Sequence, residues 1–210
     1  MTERLLLVDS DVFVLLSAAG LLDELATVLG FAPDAIRRLS ALPYQLQKGR
    51  SFRRYDLAAR TTVLTKCEAT ASWEERPADN ERFDRLVSVD GIDEGEAFFF
   101  ATLSERHACL LTTGDSKALV ALGNASDLAD VRDQVRGRIV ALEGALLLLV
   151  RSLGAEAVGS RLKPLASVHR TIDILFGTKD HFDDDEAVRQ ITSYLDSLRQ
   201  SMGDDLLFNG

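Results

Sequence analysis

Short apolar runs, separated by segments with helical periodicity, constrain the fold of this chain more than any other feature. Residues 5–8, 86–89, 108–112 and 138–142 are predicted to be strands, because each run is short and largely apolar. Their alternation with helical segments predicts an α/β fold, with a central parallel sheet covered by helices on both faces. Right-handed crossovers then place the carboxyl ends of all the strands at one edge of the sheet.

Acidic residues follow three of these predicted strands. Asp9 and Asp11 come after the first run, Asp93 and Glu96 after the second, and Asp115 after the third. If the strands are neighbours, the carboxylates meet at the edge where open α/β sheets bind their ligands.

Carboxylates held this close repel one another, and each raises the pKa of the others. A divalent cation relieves the repulsion. Oxygen ligands, with no histidine or cysteine beside them, favour Mg²⁺ or Mn²⁺ over zinc. Such a site polarises a phosphodiester and activates water, so the pattern predicts metal-dependent phosphodiester hydrolysis.

Helix capping is the competing interpretation of the same acids. Asp11, Asp93 and Asp115 each precede a helical segment, and aspartate is a favoured N-cap residue. Asp93 and Glu96 also have the spacing of a capping box. Asp9 fits this interpretation least, because it directly follows a buried run and Ser10 or Asp11 could cap the helix. The joint pattern therefore favours a metal site.

Basic residues cluster in one part of an acidic chain. The net charge of −9 argues against nonspecific coating of nucleic acid. Residues 34–66 nevertheless contain eight Lys and Arg residues against two Asp, which suits contact with phosphate or with an acidic protein partner. Phe52 and Tyr55 lie among them, either to stack on a base or to anchor the segment in the core. The predicted RNA contacts are Lys48, Arg50, Arg53 and Arg54.

We expect neither a signal peptide nor a membrane-spanning helix in this chain. The acidic N-terminal segment is a poor signal peptide. The longest apolar stretch, residues 139–150, is shorter than the ~20 residues of a spanning helix. We expect a soluble, cytoplasmic protein without membrane contact.

Three segments together resemble the PIN-domain nuclease family: VDSDVF after the first strand, IDEGEAFFFATLSERHACLLTTGDSKAL, and GRIVALEGALLLLVRSLG. The resemblance covers residues 5–29 and about 86–155. It implies a three-layer α/β/α fold and a Mg²⁺- or Mn²⁺-dependent endoribonuclease acting on single-stranded RNA. It also implies a role as a toxin neutralised by a small antitoxin, and self-association as a homodimer.

The resemblance assigns roles residue by residue. Asp9, Glu96 and Asp115 correspond to the catalytic, metal-binding acids, and Thr113 to a hydroxyl that supports them. Asp11 and Asp93 are additional candidate ligands.

The chain also departs from the family pattern. Residues 1–155 are predicted to form the PIN-like domain, with a basic helical insert at about 30–85, and residues 156–210 a helical extension. A further family acid has no clear counterpart, and Asp34 and Glu68 are its candidates.

Two other functions stay open. With an incomplete acid set, the chain would be a catalytically degenerate PIN-like adaptor or subunit that binds a partner protein or RNA. The Asp9-Ser10-Asp11 sequence also resembles the nucleophile motif of haloacid-dehalogenase-type phosphatases, although Phe13 and Leu119 depart from that family. A second acidic group, residues 183–186, is predicted to be a solvated helix start.

Overall fold

A parallel sheet forms the centre of the molecule. The computed structural model of the protein describes residues 4–50, 52–74, 76–179, 181–203 and 206–209. Within these ranges the strands are β1 (Leu5–Val8), β2 (Ile36–Leu39), β3 (Ser72–Trp73), β4 (Cys109–Thr113) and β5 (Ile139–Ala141). Their order is β3-β2-β1-β4-β5, and every pair is parallel.

Helices connect and cover these strands. In chain order they are α1 (Ser10–Ala18), α2 (Leu22–Val28), α3 (Leu42–Lys48), α4 (Leu57–Ala69), α5 (Asn80–Val87), α6 (Glu94–Glu105), α7 (Ser116–Asn124), α8 (Ala129–Val135), α9 (Leu142–Leu153), α10 (Ala155–Leu162), α11 (Arg170–Ile172) and α12 (Asp184–Met202).

The helices form two layers, because the chain crosses the sheet in two directions. It runs outward from β1 through β2 to β3 by way of α1–α4, then returns through α5–α8 to β4 and β5. Right-handed crossovers place these two sets of helices on opposite faces. The packing agrees, because α1 contacts α4, α6 contacts α5 and α8, and α9 contacts α2. The fold is therefore a three-layer α/β/α arrangement, as the sequence predicts.

Strand β1 lies at the middle of the sheet, and all four of its residues are buried. A strand covered on both faces needs a continuous apolar run, which explains why Leu5–Val8 does not alternate with polar residues. Strand β1 pairs with β4 so that Val8 lies opposite Thr112. Asp9, directly after β1, therefore lies beside Thr113, the last residue of β4.

One predicted strand is wrong and two strands were not predicted. Residues 86–87 end helix α5, which begins with the Asp79 side chain accepting a hydrogen bond from the Arg82 backbone amide at 2.9 Å. Strands β2 and β3 lie in segments that the sequence predicts to be helical or irregular. Asp93 and Glu96 lie at the start of helix α6 in the capping box that their spacing predicts, but helix α5 rather than a strand precedes them.

The C-terminal extension is helical, as predicted, and joins the same core. Helix α12 packs on α9 and α7, and the backbone of Met202 lies so close to Gly123 that a Cβ at that glycine would overlap the Met202 carbonyl oxygen. The buried residues Leu206 and Leu207 follow, and the Phe208 amide donates to the Ile139 carbonyl beside β5. Among the helices of the described ranges, none has the length and apolar character needed to cross a membrane.

Candidate functional site: an acid-lined cavity

A cavity of about 450 Å³ lies at the carboxyl edge of the sheet, where the chain reverses its direction across β1 and β4. Such a reversal leaves a crevice beyond the strand ends, and ligands of open α/β sheets bind there. The acidic residues that line this cavity are Asp9, Asp11, Asp93, Glu96 and Asp115. The structure thus brings together the five acids that the sequence selects.

Asp9 occupies the N-cap position of α1, contrary to the expectation that Ser10 or Asp11 would cap this helix. Its Oδ1 accepts a hydrogen bond from the Ser10 amide at 2.6 Å. Burial raises the pKa of Asp9 to about 6, and the charge of Asp11 adds to the rise. Desolvation penalises the ionised form of this carboxylate, which a cation beside it would stabilise.

Thr113 links two of the acids. Its hydroxyl donates to Oδ2 of Asp9 at 3.3 Å and accepts from the backbone amide of Asp115 at 3.1 Å. Asp115 in turn caps α7, because its Oδ1 accepts from the Ala118 amide at 2.9 Å. Thr113 therefore connects Asp9, which follows β1, to Asp115, which follows β4. Its supporting role in catalysis remains a prediction.

Glu96 and Asp93 form the capping box of α6. Asp93 Oδ1 accepts from the amides of Gly95 and Glu96, and Glu96 Oε2 accepts from the Asp93 amide at 2.6 Å. Burial is the largest cause that raises the pKa of Glu96 to about 8. A hydrogen bond with the Asp115 carboxyl group, together with the charge of Asp115, raises it further. Glu96 is therefore largely protonated at neutral pH.

The other candidate acids differ in their surroundings. Asp11 is exposed in the first turn of α1, at the border of the cavity. Neither candidate for a further family acid is suitable. Asp34 precedes β2 and Glu68 lies near the end of α4, so both are at the opposite edge of the sheet and neither lines the cavity.

Two of the four predicted RNA contacts lie beside the acid-lined cavity, and the other two lie on the turn that follows. Gly49 lines the cavity, so the exposed side chains of Lys48 and Arg50 flank its wall. Lys48 is held over the Tyr44 ring, with Nζ 4.3 Å from the ring centroid. Arg53 and Arg54 are exposed in the following 3₁₀ turn, and Arg54 donates to the Ser167 carbonyl at 2.7 Å.

Phe52 does not serve as a stacking residue in this arrangement. It is buried and packs against half-buried Tyr55, with ring centroids 6.0 Å apart. For Phe52 this agrees with the alternative interpretation, in which an aromatic residue anchors the basic segment in the core.

The donor set fits a hard, hydrated divalent cation. Within the described part of the chain, no three His, Cys, Asp or Glu side chains are grouped as a ready-made metal site. Mg²⁺, however, keeps several of its waters and is commonly bound through only one or two carboxylates. A cavity of 450 Å³ holds roughly fifteen waters at about 30 Å³ each. It can therefore accept a hydrated ion beside Asp9 and the Glu96–Asp115 pair, and cation binding remains a prediction.

Sequence reasoning missed Gln45 and Ser10, which join α3 to the start of α1 along the cavity wall. The Ser10 hydroxyl donates to Gln45 Oε1 at 3.1 Å. Glu143 is half-buried at the start of α9 and burial raises its pKa, but its side chain does not line this cavity. Only a correct prediction of β2 would have placed α3 beside α1, because that helix follows β2 directly.

No family model, curated protein or solved structure matches this chain. The description of the site therefore rests on the geometry of the cavity and on the chemistry of its side chains.

Proposed function

We propose that this protein is a metal-dependent endoribonuclease that hydrolyses single-stranded RNA in the manner of PIN-domain nucleases. The observation that carries the proposal is the convergence of Asp9, Glu96 and Asp115, distant in sequence, on one cavity beside a basic segment. Carboxylates alone repel a phosphodiester, so an acidic cavity can accept RNA only with a cation present.

The residues of the chain would have distinct tasks. Glu96 and Asp115 line the cavity together, and a cation held by their carboxylates would displace the proton that Glu96 carries at neutral pH. Asp9, fixed by Ser10 and Thr113, directs its carboxylate to the same cavity. A bound Mg²⁺ or Mn²⁺ would supply charge neutralisation and an activated water. The chain would need no nucleophilic side chain of its own.

The basic segment would position the substrate. Lys48, Arg50, Arg53 and Arg54 are exposed on the side of the cavity formed by α3 and the turn after it. Phosphate contacts from such residues fix the register of a nucleic acid strand without reading its sequence. The strand would then pass from this surface across the acid-lined cavity.

The test is cleavage of single-stranded RNA with Mg²⁺ or Mn²⁺, with Asp9→Asn as the decisive variant and Asp185→Asn as its control. Asp185 is an exposed acid in the first turn of α12. The proposal predicts cation-dependent cleavage by the wild type and by Asp185→Asn, and its loss in Asp9→Asn. Undiminished cleavage by a folded Asp9→Asn would contradict the site assignment.

A phosphatase is distinguished by its substrate. Hydrolysis of p-nitrophenyl phosphate without cleavage of RNA would favour the haloacid-dehalogenase-type alternative.

A non-enzymatic adaptor is the second candidate function. It is favoured by one observation: Asp9, Asp93 and Asp115 all accept helix N-terminal amides, so each already has a structural role. Such an adaptor would bind a partner protein or RNA without a cation and without turnover.

A toxin role, with an antitoxin partner and a homodimeric state, belongs to the nuclease proposal. It predicts growth arrest on expression that Asp9→Asn abolishes.

A further inference from the structure

A second cavity of about 160 Å³ lies beside the acid-lined one and shares its wall at Ser10, Asp11 and Gln45. Three separate parts of the chain enclose it. Helix α1 contributes Val14, the basic segment contributes residues from α3 to Tyr55, and the C-terminal extension contributes Val168 and His169. The wall that it shares with the acid-lined cavity distinguishes it from the other cavities of the described residues.

The walls of this cavity combine apolar and polar groups. Val14, Leu42, Leu46 and Val168 are apolar, and the half-buried ring of Tyr55 adds a flat surface. Burial raises the pKa of Tyr55 to about 12, so its phenol stays neutral. Half-buried His169 contributes an imidazole whose Nδ1 is shielded from solvent and has no hydrogen-bond partner among the described residues. An apolar slot with a few polar atoms is typical of a small-molecule site.

We propose that this cavity binds one nucleobase of the RNA strand whose phosphate enters the acid-lined cavity. The inference rests on the proposed function for its substrate, and it adds a base-binding role for the C-terminal extension. Tyr55 supplies a surface on which a base stacks, and His169 and Gln45 supply polar groups for its edge. The bond from Arg54 to the Ser167 carbonyl holds the basic segment against the extension and keeps the cavity walls together.

The neighbourhood favours a nucleobase over a protein side chain as the occupant. The common wall connects this slot directly to the proposed phosphodiester site, and Arg53 and Arg54 are exposed next to Phe52 and Tyr55. A ligand that enters both cavities must therefore combine a flat, partly apolar ring with an anionic backbone. A nucleotide has both parts.

The experiment measures binding of adenosine, guanosine, cytidine, uridine, free ribose and N-acetyltyrosinamide to the full chain by titration calorimetry without divalent cation. Nucleosides carry no phosphate, so their binding is independent of catalysis and of the cation. The filling variant is Val168→Trp, and Val188→Trp, at a half-buried valine on α12, is the matched control. His169→Ala, compared with His181→Ala at an exposed histidine, serves if the tryptophan variant does not fold.

We expect at least one nucleoside to bind at least tenfold more tightly than ribose. We also expect Val168→Trp, or His169→Ala, to reduce that affinity at least threefold, while the control variants leave it unchanged. Nucleosides that bind no better than ribose, affinity unchanged in the pocket variants, or tighter binding of N-acetyltyrosinamide would each overturn the inference.

Failure of the two proposals is distinguishable. If RNA is cleaved through Asp9 but nucleosides bind no better than ribose, the inference fails and the nuclease proposal stands. If nucleosides bind and the variants of the second cavity weaken that binding, but no RNA is cleaved, the nucleobase site is supported and the nuclease proposal fails.

Discussion

Two groups of acids at helix starts behave differently in this molecule. One lines the cavity at the carboxyl edge of the sheet, with Asp9, Glu96 and Asp115 at the starts of three helices. The other lies at the start of α12, where Asp183 Oδ1 accepts from the Glu186 amide at 2.8 Å. In sequence both groups satisfy the rules for an acidic N-terminal turn.

Burial and pairing separate the two groups. Residues 183–185 are exposed, and Glu186 pairs with Lys179 at 2.9 Å, so water and a cation stabilise their charge. Asp9 is half-buried and partly desolvated, and Glu96 has Asp115 as its neighbour instead of a basic residue. The comparison shows that acidic residues at a helix start become a candidate site only where the fold partly buries them and places no basic side chain beside them.

The largest expected difference between the groups concerns catalysis. Asp115→Asn should reduce the rate of RNA cleavage by at least about a hundredfold, since it removes a charge from the reacting centre. Asparagine caps a helix about as well as aspartate, so α7 should remain intact. Steady-state cleavage rates measure the loss, with Asp185→Asn as the control at wild-type rate. A similar decrease in both variants would remove the distinction between the groups.

The next effect is on stability and has a defined pH dependence. The folded pKa of Asp9, about 6, lies above its model-compound value of 3.8. The protonated form therefore stabilises the fold below pH 4, and this contribution is lost as the pH rises through 6. In chelator, Asp9→Asn should raise the free energy of unfolding at pH 7.5 by up to about 3 kcal/mol relative to its effect at pH 4.

Urea unfolding at the two pH values measures this effect, and Asp185→Asn should show no comparable pH-dependent gain. A gain of equal size in both variants would show that burial does not distinguish Asp9.

A smaller effect is expected at Thr113. Thr113→Val removes the hydroxyl between Asp9 and the Asp115 amide while keeping the side-chain shape, and should slow cleavage roughly tenfold. Thr112→Val is the matched control, because Thr112 is buried on the same strand and its hydroxyl has no partner among the described residues. Equal cleavage rates in the two variants would contradict a supporting role for Thr113.

The smallest effect concerns the second group. Asp183→Ala removes the cap of α12 and should lower the free energy of unfolding by about 1 kcal/mol without changing cleavage. Thermal unfolding and a cleavage assay on the same preparation check both parts. A cleavage defect in folded Asp183→Ala would show that the solvated group also serves the reaction.

Sequence patterns predict the buried centre of the fold better than its margin. Strands β1, β4 and β5 were predictable because each is an apolar run. Strand β2 was not, because two of its four residues are arginines. The side chains of Arg37 and Arg38 donate to nearby backbone carbonyls, which allows them to occupy a strand.

The sequence identifies the acids that line the cavity, but it does not predict all of the elements that bring them there. Residues 86–89 have the composition of a strand, yet Phe83 and Leu86 pack inward from helix α5. Asp93 and Glu96 reach the cavity all the same, because α6 begins at that edge of the sheet. The contribution of Val168 and His169 depends on contacts between distant segments, which no local pattern encodes.

Direct binding of Mn²⁺ tests the central claim, that the acids at the sheet edge hold a divalent cation whereas those on α12 do not. Electron paramagnetic resonance measures free and bound Mn²⁺ for the wild type, for Asp115→Asn and for Asp185→Asn. The account predicts a bound ion in the wild type and in Asp185→Asn, with affinity at least tenfold weaker in Asp115→Asn. Equal Mn²⁺ affinity in all three proteins, or no binding to the wild type, would contradict it.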